Sequence, residues 1–320
     1  MNKYIKTHFM SCAVMIFAAL MLTACLEGVG KKAGEVKPVL MKSVTTFKDP
    51  ESVTYDKKRD QFYVSQVNLA EKFGGGKIAI ISSSGDIKEL SWIEGLNNPK
   101  GLAVYDDKLY AADDRNLLEI DIEAGKVVKK YYGAGAESLN DVTVDDNGTV
   151  YVSDILGNKI FRLEQGKAFE VWLSDDQLEF PNGVLALDGA LYVANWGKSA
   201  DKTFESLLKA PPGKILKVNV NDKTVEPLTK EPLANIDGLA PDGKGHLFVS
   251  DWKAGKLYLV KLSDGSTVQS FDIAKILGIE SAQGFADMTY VQDKQQLWAP
   301  LMFKGSVLVF SLADDARGSN

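Results

Sequence analysis

Glu51, Lys100, Asn140, Asn182, Asp237 and Ala286 occupy one recurring position in six similar segments. The segments read Pro50-Glu51-Ser52-Val53, Pro99-Lys100-Gly101-Leu102, Leu139-Asn140-Asp141-Val142, Pro181-Asn182-Gly183-Val184, Ile236-Asp237-Gly238-Leu239 and Phe285-Ala286-Asp287-Met288. A structural repeat needs only a turn former at that position. This chain places two carboxylates, two carboxamides and a lysine there. If the repeats surround an axis, these side chains converge on it. Two acids and two amide oxygens meeting at a point suit a hard cation, and calcium takes about six to eight oxygens. Glu51, Asn140, Asn182 and Asp237 would supply four, leaving positions open to water or substrate. Zinc prefers Cys and His, and the chain holds two of each. His8 and Cys12 lie in the apolar leader and Cys25 at its end, which leaves His246. That residue lies away from the column and reads as a surface or packing residue. So few histidines also disfavour a serine triad.

The position recurs roughly every 40 to 55 residues, the length of one four-stranded propeller blade. Second strands follow about ten residues on, as in Gln61-Phe62-Tyr63-Val64-Ser65, Val150-Tyr151-Val152-Ser153-Asp154 and Leu247-Phe248-Val249-Ser250-Asp251. Third strands are visible at 159–163, 214–218 and 256–259. Turn formers such as Asp145-Asp146-Asn147-Gly148, Asp188-Gly189 and Ser263-Asp264-Gly265 separate them. Alternating β-branched and aromatic residues support strands. The expected fold is all-β, a six-bladed β-propeller of four-stranded blades over residues 38–320. A closed ring must hide its first and last edges. Residues 39–44 are therefore expected to pair beside 306–310 and complete the last blade.

Residues 1–24 carry Lys3 and Lys6 and then an apolar run, the pattern of a secretory signal peptide. They end in Leu22-Thr23-Ala24-Cys25, which resembles a bacterial lipobox. Cleavage there leaves Cys25 as a lipidated N-terminus, with 25–37 as a glycine-containing flexible tether and a lipid anchor to the membrane. Leu26 follows the cysteine, where many Gram-negative lipoproteins carry an inner-membrane retention Asp. A cell-envelope lipoprotein is expected, at the outer membrane facing the periplasm in a Gram-negative cell. With Cys12 removed, no disulfide can form within the mature chain. The chain has 37 basic and 43 acidic residues, a net charge of −6, and losing Lys3 and Lys6 makes it more acidic. That balance argues against nucleic acid as a partner. A monomer is expected.

In a propeller, first strands begin and second strands end on the same face. The loops after second strands therefore crowd the mouth of the channel. Two are long, 66–76 and 196–213, and the second carries Phe204, Leu207, Leu208 and Pro211-Pro212. Loops of that length are usually functional or disordered, and this one reads as a lid. Trp196 and Trp252 stand at the same rim as apolar walls for a substrate, or as packing between blades. Lys100 is placed to hold a substrate carboxylate or an oxyanion, or to pair with Asp113 or Asp154. Asp237 is the first choice for a carboxylate that activates water, and Asp141, beside Asn140, is the second.

The ordered set of Glu51, Asn140, Asn182 and Asp237 at inner-strand starts resembles the calcium site of the senescence-marker-protein/gluconolactonase enzymes. Diisopropyl fluorophosphatase and the paraoxonases share that site. The resemblance runs from Asp49 to about Phe310. It implies Ca²⁺ bound by those four residues and metal-assisted hydrolysis of a small-molecule lactone or related ester. Gluconolactonase-like members tend to have Glu-Gly-Pro at the first site, where this chain has Glu51-Ser52-Val53. Ser138 stands where sugar-lactone enzymes often carry arginine, and paraoxonase-type channel histidines are missing. The alternative is a non-catalytic propeller of NHL-type repeats that binds a protein or glycan on the same face. Motifs such as Val152-Ser153-Asp154 occur in both groups, whereas the metal column belongs to the enzymes.

Overall fold

Period-two alternation would leave one face of a sheet exposed, yet the second strands here are buried on both. Residues Gln61–Gln66 and Val150–Asp154 are buried throughout. Such strands need a covered sheet on each side, and a ring of radially stacked sheets provides one. A computed structural model describes residues 36–71 and 74–312 of the chain. The leader expected over 1–24, the lipidation at Cys25 and most of the tether lie outside those residues.

Among the described residues, six four-stranded antiparallel sheets form in chain order. Their inner strands are Pro50–Asp56, Pro99–Tyr105, Leu139–Val144, Pro181–Leu187, Ile236–Pro241 and Thr289–Val291. These begin the six blades expected from the repeat. Apolar clusters bind each blade to the next, as where Phe62 of blade 1 stacks on Trp298 of blade 6 with ring centroids 3.9 Å apart. Outer strands such as Lys126–Tyr132 are largely solvent-exposed. No helix among the described residues is long and apolar enough to cross a membrane.

Closure follows the expected route. Strand Val39–Thr45 pairs antiparallel with Ser306–Ser311 and becomes the outer strand of blade 6. Val39 lies opposite Ser311 and Thr45 opposite Ser306. The first strand therefore enters at the far end of blade 6 and runs toward the end where the inner strands begin.

Every inner strand is irregular at its start. The register slips by one residue between Pro50 and Val53, Pro99 and Leu102, Leu139 and Val142, Pro181 and Val184, and Ile236 and Leu239. In blade 6 an isolated bridge joins Phe285 to Leu301 before the regular strand resumes at Thr289 opposite Trp298. Each blade thus carries a β-bulge, and the recurring position falls inside it. A bulge adds one residue and re-aims side chains.

Candidate functional site

The bulges fix where the recurring side chains point. In blades 1, 3 and 5 a second-strand serine secures the bulge. Ser65, Ser153 and Ser250 accept from the backbone N–H of Ser52, Asp141 and Gly238 at 2.9, 2.9 and 2.8 Å. The serines of the repeated Val-Ser-Asp motifs therefore hold the inner strand in shape. Blade crowding constrains the next position. A Cβ on Gly183 would lie 2.0 Å from the carbonyl oxygen of Asp237, so only glycine fits there.

Glu51, Lys100, Asn140, Asn182 and Asp237 line one cavity of about 460 Å³. Ala286, the sixth member, is buried in the apolar cluster beside it. Glu51, Asn140, Asn182 and Asp237 are each at most 5% exposed. Oε2 of Glu51 and Oδ1 of Asn182 are buried without any hydrogen-bond partner. Leaving such oxygens unsatisfied is costly. Burial, and then the charge of Asp237, pushes the Glu51 carboxyl well above its usual range. Burial and the charge of Asp287 push Asp237 up to about 8, against the pull of Lys100 and Asn182. Crowded buried carboxylates and orphaned oxygens are compatible with a cation's donor set. Among the described residues no group of three or more His, Cys, Asp or Glu is placed to hold a metal. The donor set that fits here is two carboxylates and two carboxamides, an oxygen-only set suited to Ca²⁺ and unsuited to zinc.

Asp141 is not brought to the cavity. Its Oδ1 accepts from the N–H of Val142 and its Oδ2 from that of Val184 in the next blade, both at 2.7 Å. Asp113 and Asp154 do not pair with Lys100 either. Asp113 accepts from the N–H groups of Asn97 and Asn98, and Asp154 from those of Glu137 and Ser138. Lys100 instead faces Glu51 and Asp237, whose charged forms it favours. His246 lies at the far end of blade 5, with Nδ1 2.8 Å from Oδ2 of Asp242.

Above the polar floor the walls are apolar. Trp196 and Trp252 both line the cavity, their ring centroids 5.6 Å apart. Val67, Ile155, Leu207 and Met302 stand beside them. The 196–213 loop folds over the rim and contains the helix α1 (Phe204–Lys209), capped by the Thr203 hydroxyl. Phe204 packs edge-on to Trp252 at 6.3 Å, and Phe303 does so at 5.3 Å.

Two polar residues escaped the sequence reading. Asn98 lines the cavity, and its Oδ1 is buried without a partner. It stands two residues before Lys100, the offset at which Ser138 precedes Asn140, so that offset is a second column worth reading. Asp287 was visible only as a residue of its repeat. Burial pushes its carboxyl up to about 7, although the Ser52 hydroxyl and the Met288 N–H lower it.

No family model matches the chain, and no curated protein matches its sequence. Solved structures do share its fold. A gluconolactonase from Xanthomonas campestris is 16% identical, with a TM-score of 0.63 over 89% of this chain and 99% of its own. Virginiamycin B lyase from Staphylococcus aureus is 15% identical, with a TM-score of 0.60 over 87% of this chain and 100% of its own. The two carry different activities, so this likeness establishes the six-bladed propeller and leaves the chemistry to the site.

Proposed function

We propose that this chain is a calcium-dependent hydrolase of lactones or related esters, similar in kind to the gluconolactonase-like propellers. The observation that carries this reading is the pair of orphaned oxygens, Glu51 Oε2 and Asn182 Oδ1, on the cavity floor beside Asp237. Glu51, Asn140, Asn182 and Asp237 hold the ion. When bound, calcium supplies a Lewis acid toward a carbonyl oxygen.

The chain's own residues do the rest. Asp237 takes the proton of the attacking water. Its carboxylate on the cavity floor is the acceptor, and it returns the proton to the departing oxygen as the carbon–oxygen bond breaks. The Lys100 ammonium draws the developing negative charge toward the floor. Asn98 Oδ1 offers an acceptor to a donor group on the substrate. Trp196 and Trp252 exclude water and seat the apolar part of the ligand. Asp141 is left out of the chemistry, because both its oxygens are engaged in backbone hydrogen bonds. The same proposal places the protein at the cell envelope through a lipidated Cys25.

The test is calcium-dependent acid release from a panel of lactones, aryl esters and phosphotriesters. Turnover that disappears with chelator and returns with calcium is the expected result. No calcium-dependent turnover by folded protein would leave a non-catalytic binding propeller as the better reading.

A further inference from the structure

The 196–213 loop is built unlike a hinged flap. Both of its ends meet one buried side chain of the next blade. Asn235, 4% exposed, places Nδ2 2.7 Å from the Trp196 carbonyl oxygen, where the loop begins. The same nitrogen is 3.0 Å from the carbonyl oxygen of Pro211 and 3.4 Å from that of Ala210, where the loop ends. Lys253 donates to the Ala210 oxygen at 3.2 Å. The neck is so tight that a Cβ on Gly197, whose φ is +106°, would lie 2.1 Å from the Pro211 oxygen. Inside the loop, Trp196 Nε1 donates to the Leu207 carbonyl oxygen at 2.8 Å and holds α1 against the cavity. Leu207 is buried, while Phe204 is 60% exposed at the rim.

A side-chain amide that satisfies carbonyls from both ends of a long loop fixes that loop as a unit. The apolar surface it presents is then prebuilt, and a ligand need not order it on arrival. Leu207, Phe204 and Phe303 offer hydroxyl groups no partners, and the Trp196 indole N–H is already engaged, so this wall is poor in hydrogen-bonding groups. Burying unpaired hydroxyls there is costly, whereas burying methylenes is favourable.

We infer that Asn235 holds the 196–213 loop as a fixed apolar wall, and that this wall selects ligands bearing an alkyl or aryl substituent over polyhydroxylated ones. The inference rests on the lactone and ester reading for the reacting head of the ligand. The wall acts on the tail, so the two are separable. Asn235 is a positioning residue and does not line the cavity.

The experiment uses calcium-saturated full-length protein and two readouts. In the first, kcat/KM is measured for γ-lactones with unbranched side chains from none to eight carbons, and for gluconolactone. The expected rise is about fourfold per methylene until the wall is covered, with gluconolactone the poorest. In the second, calorimetry follows linear alkyl alcohols of the same lengths, which need no chemistry. Asn235→Ala should flatten both dependences, cutting the long-to-short ratio at least about tenfold, mainly through KM. Phe204→Ser, at an exposed position that keeps the fold, should cut the ratio severalfold and covers the case in which Asn235→Ala fails to fold. Alcohol affinity that grows with length in protein that turns over no lactone would sustain the wall and sink the hydrolase. Turnover with no dependence on chain length, or a dependence unchanged in both variants, would overturn the wall and leave the hydrolase standing.

Discussion

The Ser52 hydroxyl donates to Oδ2 of Asp287 at 2.6 Å, across the seam between the first blade and the last. The Asp287 N–H returns a bond to the carbonyl oxygen of Glu51 at 3.1 Å. Halfway round the ring, Asp141 makes the corresponding tie to Val184 of the next blade. Ser52, Asp141 and Asp287 each lie one residue beyond the recurring position. One layer of the channel therefore joins blades, and the layer beside it presents free oxygens to the cavity. Adjacent residues thus carry separate tasks, and variants can distinguish them.

Asp141→Ala is expected to act on stability. It strips the acceptor from two backbone N–H groups, one of them in another blade, and should cost about 2–4 kcal/mol. Denaturant unfolding would measure this at calcium saturation. A variant of full stability that has lost turnover would instead return Asp141 to the chemistry.

Asp237→Asn should weaken calcium binding by roughly tenfold or more, since it removes one of the two charges that neutralise the ion. Asn182→Asp adds a charge and should cost less. Calorimetry compares them directly. Equal affinity in wild type and Asp237→Asn would remove this residue from the ligand set.

Without calcium, stability should fall as pH rises. Asp237 is pushed up to about 8 and Asp287 to about 7, from an ordinary value of 3.8. Between those limits the folded chain binds more protons than the unfolded one, so the slope of stability against pH is negative. The contribution is complete below about pH 4 and gone above about pH 8. Melting temperatures in chelator from pH 5 to 9 should show the decline, and excess calcium should flatten it. A rise over that range in chelator would contradict the assignment.

Cys25→Ala should abolish acyl labelling and release the protein from membrane fractions. Labelling that persists in the variant would end the lipoprotein reading.

The blades and the closing strand were legible because both rest on periodic signals. Alternation marks the strands, and one position repeated six times, polar in five of them, marks the channel floor. What stayed hidden depends on partners distant in the chain. Ser52 and Asp287 are 235 residues apart, and nothing local to either announces the other. Asn235 resembles a turn former before an inner strand until the carbonyls of Trp196 and Pro211 are seen against it. Asp141 is adjacent to Asn140 in the chain, but the bulge turns successive side chains to different neighbours. The short helix α2 (Ile273–Leu277) is only five residues long, too short for a helical period to show in the sequence. Its N-cap, Asp272, does carry a recognisable signal.

The strand Val39–Thr45 has a mechanical consequence. Of its seven residues only Val44 is buried, so the strand is held chiefly by its backbone pairing to Ser306–Ser311. Tension applied through the chain ahead of Val36 would first meet its two hydrogen bonds with Gln269 of blade 5, and once those part it would load the strand pairing from one end. Its hydrogen bonds would break one after another, as in unzipping, instead of sharing the load in shear. The ring should yield first at its own clasp. Because Val39 lies at the end of blade 6 remote from the cavity, rupture of this pairing would begin on the side farthest from the cavity floor.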